Sequence, residues 1–105
     1  MNLNELTAAM NDFVQSKGWY DPQSPRQQTP RNLAISLNLE AAEVLEHFQW
    51  HDETADPSAL AEELADVALY LLQLASVEQI DLEQAILHKL AKNYRRTWDD
   101  PTQGQ

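Results

Sequence analysis

PRNLAISLNLEAAEVLEHFQW, residues 30–50, decides the fold. Thr29 and Pro30 form a helix start, an N-cap followed by proline at the first helical position. Leu33, Leu37, Ala41, Val44 and Phe48 then recur with helical period as one apolar stripe. Glu40 falls at the edge of that stripe and Glu43 roughly 60° further round the same flank, at ~100° per residue. His47 lies between them in projection, and Glu46 points further towards solvent. Carboxylates beside an apolar stripe need something to compensate them.

A second stretch, EELADVALYLLQLA (residues 62–75), is built alike. Asp56-Pro57 repeats the cap-then-proline start. Leu60, Leu64, Val67, Leu71 and Leu74 form its stripe, with Glu63, Asp66 and Tyr70 on one flank and Glu62 turned away. Packed antiparallel, the two helices bring their acidic flanks together. Four hard oxygen ligands facing one another in a helical bundle suit Mg²⁺. Acidic i, i+3 pairs also serve simply as a solvated helix face. The presence of two such pairs, both flanking apolar stripes on neighbouring helices, strengthens the metal reading and leaves the solvated face open beside it.

The remaining elements are helical too. Asn2 with Glu5 reads as a capping box, opening a first helix that ends near Lys17-Gly18. GWYDPQSPRQQTP (18–30) is a Pro- and Gln-rich loop. The second helix is expected from Pro30 to Trp50, and HDETAD connects it to the third, from Pro57 to about Val77. Asp81 with Gln84 opens a fourth, to about Arg96. Alternating strand patterns are missing and the chain has 2 glycines, so the expected fold class is all-α, a four-helix bundle in residues 1–97. Residues 98–105 are expected to be a disordered tail.

On the fourth helix Lys89, Asn93 and Arg96 share one face, either a phosphate clamp or cations offsetting the helix dipole. Trp19, Tyr20, Phe48, Trp50 and Trp98 lie in or near loops, where aromatic rings stack on bases or staple loops to the core. His47, His51 and His88 lack paired metal-ligand spacing.

The 105 residues are enough for one domain with a modest core. The formal net charge is −10, from 17 acidic and 7 basic residues. That argues against binding DNA or RNA polymers and against an anionic membrane surface. It leaves room for a small anion bridged by divalent cations. With no cysteine, disulfides, thiolate zinc sites and cysteine nucleophiles are excluded. The start of the chain, MNLNELTAAMNDF, lacks a signal-peptide pattern, and a cytoplasmic location is expected.

With these residues laid out, the chain resembles the MazG-like nucleotide pyrophosphohydrolases of the all-α NTP pyrophosphatase superfamily, and within them the dCTP pyrophosphatase group. The pattern E-x-x-E, spacer, E-x-x-D appears as Glu40-Ala-Ala-Glu43 and Glu63-Leu-Ala-Asp66, with PRN before it, FQW after it and LHKLAKNYRR at 87–96. The resemblance covers roughly residues 3–96. It implies a MazG-like bundle completed by oligomerisation into dimers or tetramers, with sites between protomers. It implies that Glu40, Glu43, Glu63 and Asp66 coordinate Mg²⁺, with Mn²⁺ as a substitute. It also implies phosphate or sugar contacts from Lys89, Asn93 and Arg96, a base pocket involving Trp19 and Trp50, and Tyr70 facing the nucleotide. Hydrolysis of a nucleoside triphosphate, dCTP or a related pyrimidine dNTP, to monophosphate and pyrophosphate is the implied reaction. The loop DPQSPRQQTP departs from the family in its length and in lacking a histidine, which leaves base preference and the role of Trp19 open. The rival readings are a non-enzymatic helical oligomerisation module and a di-iron bundle. The second is disfavoured because it needs Glu-x-x-His pairs.

Overall fold

The computed structural model describes residues 1–96. Its helices are α1 (Leu3–Ser16), α2 (Pro30–Glu46), α3 (Pro57–Val77) and α4 (Leu82–Arg95), and the described residues contain no strand. The all-α fold expected from the sequence is therefore the observed one. The tail and Trp98 lie outside the described residues.

Each helix starts where its cap stands. Asn2 Oδ1 accepts from the Glu5 amide at 2.8 Å, and Thr29 Oγ1 from the Asn32 amide at 3.2 Å. Asp56 Oδ1 accepts from the Ala59 amide and Asp81 Oδ1 from the Gln84 amide, each at 3.1 Å. These bonds satisfy amides that the first helical turn leaves without intrahelical partners.

One boundary differs from expectation. The second helix stops at Glu46, with His47 as its C-cap, and does not run to Trp50. The amides of His47 and Phe48 turn back to Val44 and Leu45 carbonyls, a tightened last turn that ends the helix. Phe48 therefore leaves the apolar stripe and is exposed.

The α2 and α3 helices pack antiparallel, with Gln28 before α2 bonding Gln73 late in α3, while His47 after α2 meets Glu63 early in α3. The α1 helix lies on the C-terminal half of α3, where Asn11 Nδ2 donates to Ser76 Oγ at 2.9 Å. Met10, Val14 and Leu72 form the core between them, with Leu3, Trp19, Tyr20 and Leu82 packed around it. The α3 stripe is thus only part of what is covered. Leu64 and Leu71 stay half-exposed, while Leu72, Gln73 and Ala75 are buried. The reason is that α3 is apolar nearly all round at its C-terminal end and α1 takes the other side.

Much apolar surface stays open. The α4 helix buries no residue fully, and its Ile86, Leu87, Leu90 and Tyr94 are exposed, as are Ile35 and Leu39 on α2. The radius of gyration is 16.7 Å, against about 13 Å for a compact domain of 100 residues. No helix among the described residues is long and apolar enough to cross a membrane.

Two helix ends aim the chain into the site region. After α1, Gly18 adopts φ +71°, and the Trp19 amide reaches back to the Val14 carbonyl, a left-handed C-terminal cap that lays Trp19 on the core. After α3, Gln79 takes the same role at φ 59°, with the Ile80 amide on the Ala75 carbonyl. A β-carbon at Gly18 would meet nothing within 4 Å, so conformation alone sets its cost. Gly18→Ala should destabilise by about 1 kcal/mol and Gln79→Gly should stabilise by up to about the same amount. Urea unfolding midpoints of the two variants check this pair of opposite signs.

Candidate active site

The four sequence-selected carboxylates gather on the α2–α3 seam. Glu40 senses Glu43, Asp66 and Glu63 together, and its carboxyl is held above the usual range. Burial is the largest cause. A hydrogen bond with the Glu43 side chain follows, and then the charges of Glu43, Asp66 and Glu63. Glu40 Oε2 is shielded from solvent and lacks a hydrogen-bond partner. A shielded carboxylate oxygen facing three other acids is a poor arrangement for the protein alone and a suitable one for a divalent cation. Among the described residues, no three acids or histidines already converge at ligand spacing. The acids share the seam without being closed around one point.

Glu63 is the most tied of the four. Its Oε2, also shielded, faces His47 Nε2. His47 Nδ1 lies 2.7 Å from Thr54 Oγ1. Sequence reasoning did not assign His47 this place, because its partner arrives only through the α2–α3 packing.

Asp66 carries the seam into a cavity of about 520 Å³. Tyr70, Leu69 and Gln73 of α3 continue its wall, and Met10, Phe13 and Val14 of α1 face them. The loop after α1 adds Trp19, Arg26 and Gln28. Trp19 packs edge-on against Phe13 at 5.7 Å between ring centroids, and the Arg26 guanidinium lies 5.4 Å from the Trp19 ring centroid. Gln73 is 4 % exposed, and its Nε2 donates to Gln28 Oε1 at 2.7 Å, while Gln28 Nε2 donates to the Arg26 carbonyl at 2.6 Å. Tyr20 donates its hydroxyl to Asn11 Oδ1. Burial raises the Tyr20 pKa and the Gln73 hydrogen bond opposes that rise. The cavity is therefore apolar and aromatic along its sides, with a fixed amide pair in one wall.

Trp19, Tyr70 and Asp66 are thus brought together. Trp50 is not. It is 81 % exposed and shares a shallow depression with Phe48, Gln49, His51 and Asp52. Lys89 and Asn93 lie on α4, which packs on α1, Arg96 is its C-cap, and none of them lines the cavity. Arg26, Gln28 and Met10 are cavity residues that sequence reading did not single out. Gln73 was visible as a break in the apolar run of α3, but without a role.

The fold and site define a class, an all-α bundle in which facing E-x-x-E and E-x-x-D helices open onto an aromatic cavity. The MazG-like family model matches residues 35–103, and the chain belongs to the MazG-like family. It is 43 % identical over 103 residues to dCTP pyrophosphatase 1 of Bos taurus and 40 % identical over 103 residues to that of Homo sapiens. Each match covers 90 % of this chain and 58 % of the relative, so the chain spans little more than half the length of these curated relatives. Among solved structures, a pyrophosphatase from Archaeoglobus fulgidus is similar at TM-score 0.69 and 37 % identity, covering 88 % of each chain.

The raised Glu40 pKa carries a sign. The folded state holds this proton more tightly than the unfolded chain, so ionised Glu40 opposes folding. That penalty is complete above the raised value and vanishes below the ordinary carboxylate range. Metal-free Glu40→Gln should therefore melt above the wild type at pH 7, and the gap should close as pH falls through the carboxylate range. Thermal melts across that range, with EDTA present, check the prediction.

Proposed function

We propose that this protein hydrolyses a (deoxy)nucleoside triphosphate, dCTP or a related pyrimidine dNTP, to the monophosphate and pyrophosphate. The observation that carries the reading is the double membership of Asp66. It belongs to the carboxylate seam and to the aromatic cavity. A charged phosphate end and a flat base end thus have adjacent places. The names of the curated relatives and of the solved neighbour support the same reaction class.

Glu40, Glu43, Glu63 and Asp66 are the residues that would hold Mg²⁺, with Mn²⁺ as a substitute. When bound, the cation offsets the triphosphate charge and makes water more acidic. Trp19 and Tyr70 hold the nucleotide at the cavity wall. Glu43 accepts the proton of the attacking water. The new bond forms between water oxygen and the α-phosphorus, the α–β bridging bond breaks, and pyrophosphate leaves. No covalent enzyme intermediate is required.

Residues 1–97 act as one helical domain and assemble as a homodimer or homotetramer in the cytoplasm. The open apolar faces of α2 and α4 support this assembly, since a monomer would leave them in water. Within one chain Trp50, Lys89, Asn93 and Arg96 stand away from the cavity. In the assembly they complete a site between protomers, with Trp50 beside the base and the α4 residues on phosphate or sugar.

Pyrophosphate release from a panel of dNTPs and NTPs, with Mg²⁺ and with EDTA, tests the reaction. Release should depend on Mg²⁺, with the monophosphate as co-product. Each of Glu40→Gln, Glu43→Gln, Glu63→Gln and Asp66→Asn should lower turnover by at least about 100-fold, on the scale of a lost acid–base or charge-stabilising group, while circular dichroism stays helical. Full activity in two of these variants would overturn the site. Light scattering after gel filtration should give a mass of two or four chains. A monomeric protein that ignores Mg²⁺ and the whole nucleotide panel would overturn the functional reading itself.

A further inference from the structure

We propose that His47 is a positioning residue for Glu63, itself held in place by Thr54. The inference rests on the reading of Glu63 as a cation ligand. His47 sits at the end of α2 as its C-cap, and both it and Glu63 are largely covered, with side chains 14 % and 24 % exposed. Thr54 Oγ1 accepts from the Asp56 amide at 3.2 Å. The same hydroxyl lies 2.7 Å from His47 Nδ1 and holds that side of the ring, donating to it or accepting from it. With Nδ1 held in this way, the ring turns Nε2 to Glu63 Oε2.

Oε2 is shielded from solvent and is engaged by His47. Oε1 is left as the ligand oxygen of Glu63. A carboxylate with one oxygen fixed this way cannot rotate freely away from its neighbours. In the absence of a cation, their repulsion pushes it to do so. Hydrogen bonds behind a ligand typically contribute 10- to 100-fold in metal affinity, in order of magnitude.

The same three residues tie the connector to the site. Thr54 and Asp56 belong to the segment joining α2 to α3, and Asp56 also caps α3. A purely structural role, stapling this connector, would lower stability and metal affinity in step. A positioning role separates them.

The test uses the full chain and Mn²⁺ alone, titrated calorimetrically, beside thermal melts in EDTA. His47→Leu removes both ring nitrogens and should weaken Mn²⁺ binding by about 10-fold or more. Its metal-free melting point should move by only a few degrees. His47→Gln places an amide donor near Glu63 and should recover most of the affinity. Thr54→Val removes the hydroxyl behind the ring and should fall between. If His47→Leu unfolds, the Gln and Val variants carry the same comparison. Mn²⁺ affinity in His47→Leu within about twofold of wild type, against the loss expected of a ligand-orienting bond, would overturn the proposal. So would a Gln variant no better than Leu, or losses that track the melting points across all variants. A wild-type protein that binds no Mn²⁺ would overturn both this proposal and the cation site. Wild-type binding with an indifferent His47→Leu would overturn this proposal alone.

Discussion

Four carboxylates held on one helical seam repel one another, and the rest of the structure must contain that repulsion. Glu40 shows the strain in its raised pKa, with burial first and its three acidic neighbours behind it. The α2 and α3 helices are joined at both ends of the seam. The Gln28–Gln73 amide pair ties one end, and the Thr54–His47–Glu63 chain ties the other. Leu33, 2 % exposed, supplies the buried apolar contact of α2.

The cavity follows from a different part of the chain. The loop between α1 and α2 is long, and Gly18 turns it sharply back so that Trp19 packs against Phe13. Arg26 then folds over the Trp19 ring. The result is a site made from two sources. Two regular helices place the charges, and an irregular loop lines the apolar wall. Variation in that loop changes what fits beside Trp19, while the two regular helices keep the carboxylates in place.

The open faces of α2 and α4 belong to the same logic. A short chain with the core of Met10, Val14 and Leu72 covers little of its apolar surface. Trp50 and Tyr94 stand out at 81 % and 89 % exposure. Large aromatic residues left this bare are costly in water and well suited to burial between chains.

Local chemistry was legible in the sequence. Helix starts at Thr29-Pro30, Asp56-Pro57, Asn2 and Asp81 were readable because a cap acts on amides two or three residues away. The acidic pairs were readable because helical period sets their direction. What lay beyond sequence reading depends on distant partners. The α2 helix ends at Glu46 because His47 and Phe48 turn back and His47 finds Thr54, not because the helical pattern runs out. Gln73 is buried because α1 and the loop close over it. His47 meets Glu63 only once α2 and α3 lie antiparallel, 16 positions apart in sequence. Which residues line the cavity, and which of the expected ones stand outside it within a single chain, was likewise decided only by tertiary packing, since no periodicity encodes where a loop comes to rest.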